Sequence, residues 1–201
     1  MGTAVTAARD HDRALAQRAA EGDRASQRAL FQQLKQGVHH TLFRILGANR
    51  DIEDLIQDAF LEIFRALPSF RGDSSLARWS QTIATRTAYL AIERRKPTPV
   101  DLDVVEDEIV DRDPDAHRVA LARQAARRLY AALDRIEAKQ RVAFALAVID
   151  GLSLAEVAQL TESSVVAVKT RVWRARRDLM KRAHKDPVLA SYLAEFGGGE
   201  A

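Results

Sequence analysis

Apolar residues recur along most of this chain three and four positions apart, the period of a helix buried on one side. The first such pattern begins near Asp12 with Leu15 and Ala19, after a stretch at 1–11 that reads as a loose tail, and it breaks at Glu21-Gly22-Asp23. Asp23 is a candidate N-cap for a second helix reaching about Leu46. Its Leu30, Phe31, Leu34, Val38, Leu42 and Ile45 share a face, and Gly47 ends it as a glycine C-cap does. The segment 49–67 carries Ile52, Leu55, Ile56, Ala59, Phe60, Ile63, Phe64 and Leu67 on one side, until Pro68 stops it. A loop at 70–75 leads to a helix over about 75–95, with Leu76, Trp79, Ile83 and Leu90 as its apolar positions. The period returns near Arg118 through Leu121, Ala125, Leu129, Leu133 and Ile136, followed by an apolar segment at 142–149 that Asp150-Gly151 closes. No stretch alternates as a strand would. The fold class is all-α.

Between these helical stretches the pattern lapses. Residues 97–115 contain three prolines, and 98–115 carry eight acids against Arg112 alone, a formal −7. Charge repulsion and proline both extend such a segment, so it reads as an acidic flexible linker over 97–117 between two small helical domains at 12–96 and 118–186. A tail at 187–201 remains. Within it Val188, Leu189, Tyr192, Leu193 and Phe196 form one apolar face behind Pro187, a helix-starting proline. So short a helix needs a surface to cover. Packing on its own domain and contact with a partner are the two options.

The second domain ends in the most distinctive stretch, residues 153–177. Ser153 with Glu156 is a capping-box spacing, and Leu154, Val157, Ala158 and Leu160 give a short first helix its apolar side. Thr161-Glu162-Ser163-Ser164 is a polar break with Ser164 as a second N-cap. The next helix puts Val168, Val172, Ala175 and Leu179 on one face. Its other side carries Val166, Lys169, Thr170, Trp173 and Arg177, flanked by Arg171, Arg174 and Arg176. A short helix, a tight turn and a longer helix make a helix-turn-helix, whose second helix can enter a major groove. Residues 161–185 hold eight Lys/Arg against two Asp/Glu, a local excess that favours DNA over an ordinary solvated face.

Two further stretches suggest partners. On the helix at 49–67, Glu53, Asp54, Gln57, Asp58 and Leu61 lie opposite the buried face. Acids at a helix start suit the dipole, but that does not explain Leu61; an acidic strip with one apolar anchor suits a protein partner. Around the next helix, Phe70, Trp79 and Tyr89 interleave with Arg71, Arg78, Arg86, Arg94, Arg95 and Lys96. Rings that stack bases beside cations that meet phosphates suit single-stranded nucleic acid. An aromatic core with solvated arginines fits the same period.

Composition narrows the rest. The 201 residues include no cysteine, which excludes disulfide scaffolds and thiolate metal sites and fits a cytoplasmic setting. A pI near 9.4 points to a polyanionic partner. No apolar run is long enough for membrane insertion, and the first residues are no signal peptide. Phosphate loops, dinucleotide glycine patterns, zinc-protease motifs and nucleophile elbows are missing, so the chain is not expected to be an enzyme. His39 and His40 are sequence neighbours that point apart on a helix, poor joint ligands, and neither metal nor cofactor is expected.

The runs DIEDLIQDAFLEIFRALPSFRGDSSLARW and GLSLAEVAQLTESSVVAVKTRVWRARRDL resemble, in that order, the second and fourth regions of extracytoplasmic-function (ECF) sigma factors of bacterial RNA polymerase. The resemblance covers about 23–96 and 120–182 and implies the minimal two-domain type. It implies that Asp54, Gln57, Asp58 and Leu61 dock on core RNA polymerase. It implies that Phe70, Arg71, Asp73, Ser74, Trp79, Arg86, Arg94, Arg95 and Lys96 engage and open the −10 promoter element. For the −35 element it implies Val166, Lys169, Thr170, Arg171, Trp173, Arg174 and Arg177. Promoter DNA, core polymerase and an inhibitory anti-sigma factor are the implied partners. The alternative left open by the residues is a dimeric helix-turn-helix regulator that binds DNA alone, and behind it a helical adaptor that binds no DNA.

Overall fold

The computed structural model describes residues 2–49, 51–94 and 114–197, and the side chains of 6–49, 51–94, 119–191, 193 and 194. Helix α1 spans Gly2–Ala20, so the first helix starts well before Asp12, where the sequence suggests a tail. Helix α2 (Arg24–Leu46) begins at Asp23, whose carboxylate accepts the Ser26 amide at 2.9 Å, and ends at Gly47. Helix α3 (Ile52–Ala66) runs into a 3₁₀ turn at Leu67–Ser69, and α4 (Leu76–Arg94) follows the 70–75 loop. The segment 95–113, with Arg95, Lys96 and most of the predicted linker, lies outside the described residues.

Helix α2 supplies the spine of the first core: Leu30, Leu34, Val38, Leu42 and Ile45 are each at most 2% exposed. Truncating one of them to alanine costs about 2–5 kcal/mol, the transfer term plus the cavity left behind. Helix α4 packs on this spine through Leu76, Ser80, Ala84, Thr85 and Ala88. Ser80, Ala84 and Ala88 recur every four residues, and such short side chains let two helix axes come close. That choice of face turns the predicted core residue Leu90 outward, to 37% exposure. Of the other predicted apolar positions, Leu76 is buried and Trp79 and Ile83 pack against the core.

The second region comprises α5 (Pro114–Leu133), α6 (Ala138–Phe144) with a π-helical turn at Ala145–Ile149, α7 (Leu154–Leu160), α8 (Val165–Ala183) and α9 (Pro187–Gly197). Helix α9 covers its own domain. Leu189 and Leu193 are buried with Leu129, Leu133, Phe144, Ala175 and Leu179. Asp186 caps it by accepting the Leu189 amide at 3.1 Å, and Arg128 of α5 donates to the same carboxylate at 3.0 Å. Burial pushes the Asp186 carboxyl up, but that amide and the Arg128 guanidinium outweigh it and hold the group below its ordinary range.

The two regions do not stand apart. Val142, Ala143, Val157, Val168 and Val172 join the core built on α2, α3 and α4. Arg141, 1% exposed, donates to the Ile45 carbonyl at 3.0 Å and the Leu46 carbonyl at 3.1 Å, and pairs with Asp134. It caps the C-terminal end of α2 from the other region, where a cation suits the dipole. Tyr130 donates to the Arg44 carbonyl at 2.8 Å, and its ring lies 2.6 Å from where a Cβ on Gly47 would sit. Gly47 therefore admits the second region as well as ending a helix. Asp150 completes the seam at 2.6 Å from His40 and 3.5 Å from Arg44.

Candidate polymerase and nucleic-acid interfaces

Helix α3 separates two faces. Ile56, Ala59, Phe60 and Ile63 are buried, whereas Asp54, Gln57 and Asp58 are exposed and Leu61 is 54% exposed. Leu61 thus stands in solvent beside three polar side chains. The structure brings all four predicted docking residues onto one strip.

The helix-turn-helix is assembled from short-range bonds. Ser153 donates its amide to the Glu156 carboxylate at 2.9 Å and its hydroxyl at 2.7 Å, and its Oγ accepts the Glu156 amide at 3.3 Å. The side-chain and backbone bonds from Ser153 hold the Glu156 carboxyl below its ordinary range. Ser164 accepts the Ala167 amide at 3.2 Å, which fixes the start of α8. Between the helices Glu162 takes φ +47°, a left-handed turn that strains any residue with a Cβ. Val168, Val172, Ala175 and Leu179 point inward as predicted.

The outer face of α8 matches the predicted set with one exception. Val166 is 75% exposed and Trp173 59%, and Lys169, Thr170, Arg174 and Arg177 are exposed around them. Arg177 lies over the Trp173 ring at 5.2 Å and also meets Asp178 at 3.1 Å. Arg171 departs: it is half-buried and donates to the Ser163 hydroxyl at 3.2 Å, toward the first region instead of out into solvent. It braces the turn.

Around the 70–75 loop, Phe70 and Trp79 pack at 5.2 Å between ring centroids, and Arg71 pairs with Asp73 at 3.3 Å, both highly exposed. Ser74 is half-buried, while Arg86 and Arg94 are exposed along α4. Tyr89 bonds Glu93, which with burial raises its phenol above the ordinary range. A groove of about 580 Å³ runs between the regions, lined by Trp79, Arg86 and Tyr89 on one wall and Glu162, Ser163 and Arg171 on the other. Arg78 crosses beside it, donating to the Glu156 carbonyl at 2.7 Å.

Three long-range contacts that sequence patterns did not single out also matter. Asp12 of α1 accepts the Leu76 amide at 2.8 Å, Arg78 ties α4 to α7, and Arg141 spans the seam. Their partners lie tens of residues away, so no local spacing marks them.

Comparison with known proteins decides among the open readings. Residues 30–98 match the Sigma-70 region 2 family and residues 126–179 match Sigma-70, region 4. The ECF RNA polymerase sigma-E factor of Escherichia coli strain K12 is 30% identical over 173 residues, 82% of this chain and 90% of its own. The chain belongs to the ECF sigma factors. The sigma-E factor of Haemophilus influenzae is also 30% identical, over 82% of this sigma factor and 91% of its own length. Among solved structures, CnrH in complex with the cytosolic domain of CnrY shares the fold, with a TM-score of 0.56, 24% identity and coverage of 87% of this chain and 98% of that one. Sigma factors give RNA polymerase its promoter specificity, and this chain carries both DNA-binding regions of that family. Among the described residues no helix is long and apolar enough to cross a membrane.

Proposed function

We propose that Asp54, Gln57, Asp58 and Leu61 are the strip by which this sigma factor docks on core polymerase. The 70–75 loop with Trp79, Arg86 and Arg94 engages and opens the −10 element, and the outer face of α8 reads the −35 element through Val166, Lys169, Thr170, Trp173, Arg174 and Arg177. Arg171 serves the turn in the closed form and becomes available to DNA when the regions part. Arg95 and Lys96, outside the described residues, belong to the same assignment. The chain acts as a non-catalytic initiation subunit in the cytoplasm. The observation carrying this is the separation of faces on α3 and α8, each burying one apolar stripe and presenting the assigned residues opposite it.

Promoter engagement requires opening. The two elements lie about 25 base pairs apart, about 85 Å of duplex at ~3.4 Å per pair. Trp79 and Arg86 cannot meet one element while Arg171, across a groove of about 580 Å³, meets the other. Core polymerase would hold the opened form, and an anti-sigma partner would hold the closed one.

Run-off transcription with purified core polymerase tests the assignment. The double variant Asp54→Arg/Leu61→Arg is expected to lose core binding in a pull-down and with it all specific transcripts, at unchanged helicity. Core binding that survives both charges would remove the docking strip. DNA binding without initiation by the unaltered chain would favour a regulator that works alone.

A further inference from the structure

We infer that α1 shapes the strand-capturing loop, with Asp12 as its positioning residue. This rests on the assignment of the 70–75 loop to the −10 element. Helix α1 lies outside the residues matched to region 2, which begin at 30. Its contact with the loop is nonetheless direct. Asp12 Oδ2 accepts the amide of Leu76, the first residue of α4, at 2.8 Å across 64 positions of sequence. Its other oxygen accepts Gln33 Nε2 of α2 at 3.3 Å. The hydroxyl of the local cap, Ser75, accepts the Arg78 amide, at 3.2 Å. The free amides that begin a helix are thus divided between a neighbour and a distant carboxylate.

The geometry has consequences for the loop. Trp79 sits one turn into α4 and packs on Phe70, so the placement of that first turn sets both rings. Gly72 takes φ +79°, and the Arg13 side chain lies 3.8 Å from where its Cβ would be. Helix α1 is therefore the floor under the turn. Arg9, Asp12, Ser74, Arg78 and Gln159 line a cleft of about 800 Å³ beside it. An acid on a surface meant for phosphates would repel them; here the helix start and Gln33 engage its charge.

The test uses holoenzyme assembled from the full chain and core polymerase. The probes are a promoter duplex that the unaltered holoenzyme selects from a random-sequence pool, and the non-template strand of that duplex. Asp12→Ala should weaken binding of the single strand about fivefold to tenfold, the scale of a lost N-cap. Affinity for core and for the −35 half of the duplex should be unchanged. Asp12→Asn should stay within about twofold, because asparagine caps as well as aspartate. If Phe70→Ala and Arg71→Ala weaken strand binding but Asp12→Ala does not, the positioning role is overturned. If none of the three weakens it, the loop assignment falls and the inference with it. A parallel loss of core affinity in Asp12→Ala and Asp12→Asn would make Asp12 a fold residue only, also against the inference.

Discussion

The two ends of this sigma factor proposed to face the promoter are held by opposite means. In the helix-turn-helix, Ser153 with Glu156, Thr161 with Ser163, Ser164 with Ala167, and Arg171 with Ser163 all bond across eight residues or fewer. At the 70–75 loop the decisive bonds reach from Asp12 to Leu76 and from Arg78 to Glu156, separations of 64 and 78 residues. A local network forms as soon as its helices form. The Asp12–Leu76 bond exists only once α1 and α4 have packed, and the Arg78–Glu156 bond only while the two regions are together. The recognition helix is accordingly held by its own near neighbours, while the start of α4 beside the loop is held by distant segments.

The strongest remote tie should show the largest effect. Arg141→Met removes a buried guanidinium with three partners, leaving the Ile45 and Leu46 carbonyls without their donor. Loss of one partner from such a site costs about 3 kcal/mol. Chemical denaturation should show that loss, and scattering in solution should show a longer molecule. Unchanged stability and dimensions would mean that the seam contributes little. The local network predicts a smaller and confined response. Ser164→Ala should cost about 1 kcal/mol, an ordinary N-cap loss, and should weaken −35 binding without altering single-strand binding. Equal weakening of both would erase the distinction.

Helix α9 is an intermediate case, since its cap is local but Arg128 reaches Asp186 across 58 residues. The Asp186 carboxyl is lowered in the folded chain, so its contribution is present above the ordinary carboxylate value of 3.8. That contribution fades as the pH falls through the lower native value, where protonation removes the charge. Acid titration followed at the Leu189 amide should therefore show α9 loosening, and Asp186→Asn should flatten that profile. The effect is small, about 1 kcal/mol, because the Arg128–Asp186 pair still meets solvent. A titration unchanged by Asp186→Asn would assign the pH response elsewhere.

What sequence alone conveyed follows the same division. The α2 spine, the capping box, the Ser164 cap and the inward stripe of α8 were legible, because each depends on residues a turn or two apart. The acidic strip with Leu61 was legible for the same reason, an apolar residue at a polar helical position. Small residues hid the packed face of α4, since Ser80, Ala84 and Ala88 carry no hydrophobic signal of their own. The stretch before Asp12 reads as a tail, yet Gly2–Ala20 is helical and packs beside the loop. Arg171 matches its basic neighbours in sequence, but its bond to Ser163 turns it toward the interhelical turn. The seam at Gly47, Tyr130 and Arg141 needs both regions in place before any of its spacings mean anything.

Amide hydrogen exchange on the full chain, with and without Asp12→Ala, tests this contrast between remote and local support most directly. Loss of the remote cap should speed exchange at Leu76 about tenfold, about 1.4 kcal/mol of local opening, and leave the locally held Glu156 and Ala167 amides unchanged. Equal acceleration at all three sites, or none at Leu76, would contradict the claim that the loop is held from α1 while the recognition helix holds itself.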